Sequence, residues 1–259
     1  MITYRTKELY GDFYGNKGKP LITIIGGSIA GIPTIGSSLF DYLKSNYNVL
    51  VLAYFGVEHL PKNLEKVPLE YFINAINYFK EKLNLTDNEI VLIGSSKGGE
   101  AVLLLISKYI NPSITIACVP GCYVFQSIPG NFISIIFPKS SWEFKNKQIP
   151  FVKFRYDKKI LQDIKNKKYS SCYEKSIELN RNAKALINIE NYKGKLLLLS
   201  AEIDQYWPSK DMCNILNKSL NSNNIKHIIL DVEGHHLLEY EKSSNEIISY
   251  LKSNAPFAI

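Results

Sequence analysis

The amino-acid sequence predicts an α/β fold with a mostly parallel central sheet and helices on both faces. Two observations carry that prediction. Short apolar runs rich in β-branched residues recur along the chain, and segments with helical periodicity separate them. A third, a serine set among glycines between one such run and an apolar helix, narrows the class further.

The runs are taken in order. Leu21 to Ile25, Val49 to Ala53, Ile90 to Ile93, Ile114 to Ala117, Leu196 to Leu199 and Ile228 to Leu230 each read as a strand buried on both faces. Between the second and third, Leu69, Phe72, Ile73, Ile76, Phe79 and Leu83 fall on one face of a helix that starts after Pro68, a residue tolerated at a helix start. The alternation breaks from Cys122 to about Ile187, where Pro129-Gly130, Pro138 and Pro150 interrupt a mixture of aromatic residues and lysines. This segment is expected to be an insertion that caps the carboxyl edge of the sheet.

At 259 residues, 46% apolar and 21% charged, the chain can bury one large core, so one domain over 1–259 is expected. Met1 to Lys19 has no basic and apolar leader pattern, and the best apolar run, Ala101 to Ile106, is far short of the roughly 18 residues of a spanning helix. A soluble, cytoplasmic protein without a membrane partner is the expectation. Cys118, Cys122, Cys172 and Cys213 lack paired CxxC spacing, which argues for buried, reduced thiols rather than a metal or redox site. The net charge of +7 is concentrated in Lys139 to Lys168 and is not interleaved with stacking aromatics along a helix, so a solvated basic face fits better than nucleic-acid binding. Lys97 and that stretch could meet nucleotide phosphates, and plain solvation accounts for them equally well.

The chemistry is read from Gly94-Ser95-Ser96-Lys97-Gly98-Gly99, which follows the strand Ile90 to Ile93 and opens an apolar helix. This is G-x-S-x-G in the strand, turn and helix context that a nucleophile elbow requires, and it specifies the α/β-hydrolase fold with Ser96 as nucleophile. A phosphate-binding loop is disfavoured because G-x-x-x-x-G-K-[ST] is absent.

A serine hydroxyl needs an imidazole to take its proton. Of the four histidines, His59 precedes the nucleophile and His227 opens the last strand, leaving His235 and His236 beyond that strand's end. Counting without gaps from Ile228 favours His236, and the Gly234-His235 junction favours His235; His236 is the first choice and His235 the alternative. The acid should follow the penultimate strand, where Asp204 is preferred over Glu202. Oxyanion donors are expected from the backbone amides of Lys97 and Ser28, with Gly27 next, in the glycine-rich loop Gly26 to Gly31.

These motifs together carry a resemblance. Gly26-Gly27-Ser28, Leu52-Ala53-Tyr54-Phe55-Gly56, Leu60-Pro61-Lys62, Leu69-Glu70-Tyr71-Phe72, the Ser96-Lys97-Gly98-Gly99-Glu100 elbow and Asp204-Gln205-Tyr206-Trp207-Pro208-Ser209 resemble, in order, the catalytic domain of acyl-CoA thioesterases and bile acid-CoA:amino acid N-acyltransferases. The resemblance implies a Ser96, Asp204 and His235 or His236 triad that cleaves an acyl thioester or carboxylic ester through an acyl-enzyme, with no metal or organic cofactor. Three departures qualify it. The family's N-terminal β-sandwich domain is expected to be absent. The nucleophile is serine where the amino-acid-conjugating members use cysteine, which favours hydrolysis. The usual Gly-x-Gly-His around the base reads Glu233-Gly234-His235-His236. A general or dienelactone-hydrolase-like esterase, an acyl-CoA:amine acyltransferase and a binding protein that has lost turnover are the alternatives.

Overall fold

The computed structural model describes residues 1–15, 18–180, 182–220 and 223–256. Among the described residues, eight strands form the main sheet: β1 (Ile2–Arg5), β2 (Tyr10–Tyr14), β3 (Leu21–Ile25), β4 (Asn48–Leu52), β5 (Ile90–Ser95), β6 (Ile114–Cys118), β7 (Lys195–Ile203) and β8 (Ile225–Glu233). Their spatial order is β1-β2-β4-β3-β5-β6-β7-β8. β2 runs antiparallel to both of its neighbours, and every pairing from β4 to β8 is parallel.

The helices are α1 (Ser37–Asn46), α2 (Leu69–Lys82), α3 (Lys97–Lys108), α4 (Phe132–Ile136), α5 (Lys158–Lys165), α6 (Ser170–Asn180), α7 (Ser209–Asn217) and α8 (Glu241–Asn254). Alternation along the strands divides the core. Leu21, Ile25, Leu50, Leu52 and Leu92 face α2, α3 and α7, whereas Ile22, Ile24, Val49, Val51 and Ile93 face α1 and α8. Strands β3 to β6 are buried on both faces because helices cover both sides.

The expectation that the last strand is equally buried is corrected. β8 is an edge strand, and Ile228 is half-buried and Ile229 41% exposed. β1 and β2 had no counterpart among the expected strands. They carry polar residues, and only Gly11 and Phe13 of β2 are buried, so the apolar run that marks a central strand is missing.

The segment between β6 and β7 lies outside the main sheet. Within it, Trp142–Phe144 pairs with Val67–Pro68 and with Lys147–Gln148 in a small three-stranded sheet. Isolated bridges join Phe125 to Val152 and Gln126 to Ser140. Ser127 N–H donates to the Lys139 carbonyl at 2.8 Å, closing the base of a loop. That loop carries α4 and exposes Phe132, Ile133 and Phe137.

Candidate active site

The elbow is built by close approach. Ser96 has φ 55° and ψ −119°, left-handed backbone that a non-glycine residue adopts only under strain of about 1–3 kcal/mol. It is held there by its own N–H donating to Cys118 O at 2.9 Å and by its carbonyl accepting from Glu100 N–H at 3.0 Å. The flanking glycines are steric necessities. A Cβ on Gly98 would lie 2.2 Å from the carbonyl oxygens of Ile25 and Gly26, and one on Gly94 would lie 2.2 Å from Gly98 O.

The carboxyl ends of three strands bring the polar groups together, as ligand sites in this type of sheet require. Ser96 follows β5, Asp204 follows β7 and His235 follows β8. His235 Nε2 is 2.7 Å from Ser96 Oγ, and His235 Nδ1 is 2.9 Å and 3.0 Å from the two Asp204 oxygens. Both side chains are nearly closed to solvent, His235 at 6% and Asp204 at 3%. Asp204 also accepts from the N–H of Tyr206 at 3.0 Å and of Trp207 at 3.4 Å, so its loop wraps around it. The Tyr206 ring stacks on His235 with centroids 4.8 Å apart, and Trp207 Nε1 donates to Val119 O, tying this loop to the end of β6.

The preference for His236 is therefore corrected: the imidazole at Ser96 belongs to His235. Counting forward from Ile228 presumes a regular strand, whereas β8 shifts register against β7 between Ala201↔Leu230 and Ile203↔Glu233. Gly234 then turns with φ 142°, its N–H donating to Ile203 O at 2.9 Å, and a Cβ there would lie 2.1 Å from Tyr240 Oη. The residue directly after this glycine is the one delivered to Asp204. His236 heads the short helical turn Leu237–Glu239, its ring at 82° to that of His235. Of the remaining histidines, His59 is exposed beside Glu58 and His227 bonds Ser200 Oγ at 2.8 Å. Glu202, the second choice for the acid, pairs with Lys210 at the surface.

Gly27 lies against the nucleophile, with a Cβ there only 3.0 Å from Ser96 Cβ. Ser28 lines the same pocket, and Lys97 is the first residue of α3, where amides have no intrahelical acceptor. The pocket has a volume of about 250 Å³, and Ser96 and His235 are joined in its lining by Ile29, Ile32, Ile128, Tyr173 and Leu238. Among the described residues, no group of three or more His, Cys, Asp or Glu side chains is placed to hold a metal ion.

Lys97 cannot reach phosphates in solvent, nor is it solvated, because its side chain is 1% exposed and pairs at 3.0 Å with Glu100, itself 0% exposed. Glu100 also accepts from Trp142 Nε1 at 2.8 Å and Phe125 N–H at 3.3 Å, and Lys97 Nζ donates to Phe125 O at 3.4 Å. Burial pushes the Lys97 ammonium down and the Glu100 carboxyl up from their ordinary values, and each opposes that shift in the other. This network was not visible in the sequence beyond Lys97 and Glu100 lying three apart at the start of a helix. Its partners come from a segment that no local pattern places there.

The strand order, the strained elbow and the three side chains at the carboxyl edge define the class: this is an α/β hydrolase. The chain belongs to the BAAT / acyl-CoA thioester hydrolase C-terminal family, whose model matches residues 67–240. Among curated relatives, it is 29% identical over 198 residues to acyl-coenzyme A thioesterase 1 of Mus musculus, covering 73% of this chain and 42% of that protein. It is 25% identical over 194 residues to acyl-coenzyme A amino acid N-acyltransferase 1 of Mus musculus, covering 74% and 41%. The chain thus spans about two-fifths of the length of these relatives. Among solved structures, it is similar to a lipase-esterase related protein from Clostridium acetobutylicum, with a TM-score of 0.57 and 20% identity, covering 95% of this chain and 99% of that one. An α/β hydrolase from Penicillium gives a TM-score of 0.64 at 14% identity, covering 99% and 98%. At such identities these structures speak to the fold alone.

Proposed function

We propose that this protein is a serine hydrolase that cleaves an acyl thioester, with acyl-CoA as the leading substrate class, through an acyl-enzyme on Ser96. The single observation that carries the reading is the continuous chain of hydrogen bonds from Ser96 Oγ through His235 to Asp204. His235 Nε2 takes the hydroxyl proton as Oγ attacks the acyl carbon, while Asp204 holds the ring and stabilises its protonated form. The carbonyl oxygen gathers negative charge and is met by the amides of Lys97 and Ser28. Collapse expels the thiolate, which receives the proton from His235. Water, losing its proton to His235, then attacks the acyl carbon; the bond to Ser96 Oγ breaks, Oγ takes the proton from His235, and the free acid leaves.

Substrate choice rests on family membership and on the thioesterase and N-acyltransferase relatives. A carboxylic ester would use the same residues. We further propose that 1–259 acts as one catalytic domain, with 122–187 as its cap and a soluble small molecule as its partner. A cytoplasmic setting is supported by four cysteines that are all buried, none of them in a disulfide.

The test is turnover of acyl-CoA thioesters of several chain lengths beside matched p-nitrophenyl esters, with Ser96→Ala as blank. Preferential CoA release, abolished in Ser96→Ala, is expected. Ester hydrolysis without CoA release would move the protein to the esterases, and conjugates formed with a supplied amine would make it an acyltransferase. A folded protein that turns over none of these and resists a fluorophosphonate label would be a binding module.

A further inference from the structure

The Tyr54 hydroxyl is buried against the back of the loop that follows β3. Its Oη lies 3.0 Å from the Gly26 carbonyl oxygen and 2.5 Å from that of Gly27. The phenol is 2% exposed, and its ring is fixed by Phe55, Phe72 and Trp142 at centroid distances of 5.1, 5.4 and 5.7 Å. Burial, and then the charge of Glu100, push the phenol well above its ordinary pKa, so the hydroxyl keeps its proton and remains a donor.

The consequence follows from peptide geometry. A trans peptide sets its C=O and N–H on opposite sides, and none of the described peptide bonds is cis. The Gly26 carbonyl shares its plane with the Gly27 N–H, and the Gly27 carbonyl shares its plane with the Ser28 N–H. With both carbonyls drawn back to Tyr54, both N–H groups are aimed the other way. Gly27 abuts Ser96, a Cβ there lying 3.0 Å from Ser96 Cβ, and Ser28 lines the pocket that Ser96 enters. Among the described residues neither of these amides has a hydrogen-bond acceptor within the protein. Two free amides beside a nucleophile are what a developing oxyanion needs.

We propose that Tyr54 is a positioning residue that holds the Gly26-Gly27 peptides in the orientation that offers the Ser28 and Gly27 amides to the transition state. It rests on the reading of Ser96 as nucleophile. Tyr54 touches no reacting atom; it acts through the loop. Without the hydroxyl, the two carbonyls lose their donor in the aromatic cluster, and the orientation of both peptides is no longer held.

The experiment compares wild type, Tyr54→Phe and Phe79→Leu with one activated ester, measuring kcat, KM, Tm and inhibition by a trifluoromethyl ketone that adds to the serine as a tetrahedral adduct. Tyr54→Phe should lose about 10- to 100-fold in kcat, somewhat less than outright removal of an oxyanion donor. KM should stay within about threefold, and ketone affinity should weaken in step with kcat/KM. Phe79→Leu, which opens the same core among Tyr4, Phe13 and Tyr78, away from the rings around Tyr54, should lower Tm with kcat nearly intact.

Tyr54→Phe within twofold of wild type in kcat, or kcat losses that merely follow Tm in both variants, would overturn the proposal. Should Tyr54→Phe fail to fold, 3-fluorotyrosine at position 54 keeps ring and hydroxyl while altering donor strength: a changed kcat at unchanged Tm supports the role, and an unchanged kcat rejects it. An inert, unlabelled wild type would remove the nucleophile reading and this proposal with it. An active wild type with an indifferent Tyr54 removes this proposal alone.

Discussion

The choice between His235 and His236 turns on Gly234, whose φ of 142° is open to glycine at little cost. His235→Ala should lose at least about 10³-fold in turnover, whereas His236→Ala should retain most of it. Steady-state rates of the two purified variants decide this, and equal modest losses would mean that neither imidazole acts alone. Gly98 poses the opposite test, of structure rather than chemistry. A methyl there meets two backbone oxygens that cannot move independently of β3. Gly98→Ala should be destabilised at the upper end of the roughly 1–3 kcal/mol typical of overpacking, read from urea unfolding. At this scale the sequence was informative wherever spacing along one strand and turn decides the outcome, as for Ser96, Lys97 and the glycines of the elbow. It was ambiguous where two adjacent residues of the same type compete, because a register shift in β8 and the turn at Gly234 are properties of the packed sheet rather than of a local pattern. Tyr54 was legible only as part of a motif, since nothing local says that its hydroxyl reaches back to the loop after β3.

The scale of elements shows why a charged pair is buried at the head of α3. Lys97 and Glu100 belong to the helix, but the groups that satisfy them, Trp142 Nε1 and the Phe125 backbone, belong to the segment between β6 and β7. That segment is therefore fastened to the elbow by hydrogen bonds that neither side can replace with water. Lys97→Met and Glu100→Gln should each cost about 3–5 kcal/mol, because each leaves a buried charge or carbonyl without its partner. The double variant should cost distinctly less than the sum, and a coupling near zero in denaturant unfolding would deny the pair its mutual support. The main strands β3 to β7 were readable from apolar runs, since both of their faces are covered. The antiparallel pair β1 and β2 was not, because strands at the rim keep polar residues and blur the pattern.

For the molecule as a whole, the last two strands link acid stability to one side chain. Burial, and then Lys210, hold the His227 imidazole below its ordinary value of 6.5. The folded protein thus keeps His227 neutral at pH values where the unfolded chain has already bound a proton. The stability this provides is complete above pH 6.5 and declines as pH falls through the window beneath it. Melting temperature measured from pH 7.5 to pH 5 should accordingly fall more steeply in wild type than in His227→Gln. Parallel slopes would show that other groups set the acid limit. The loop between Ser127 and Lys139 acts at the same scale. It leaves and rejoins the body at one hydrogen-bonded base, and its aromatic residues stand open to solvent. A protease that cuts after aromatic residues should nick it at Phe132, since Pro138 protects the bond after Phe137, giving two bands under denaturing conditions and one particle under native ones. The two pieces divide the chemistry between them, with Ser96 in the first and Asp204 and His235 in the second. On the proposed function, neither half expressed separately could turn over substrate alone, so the return of activity on mixing would report their reunion, and the chain would serve as a split enzyme whose signal is association itself.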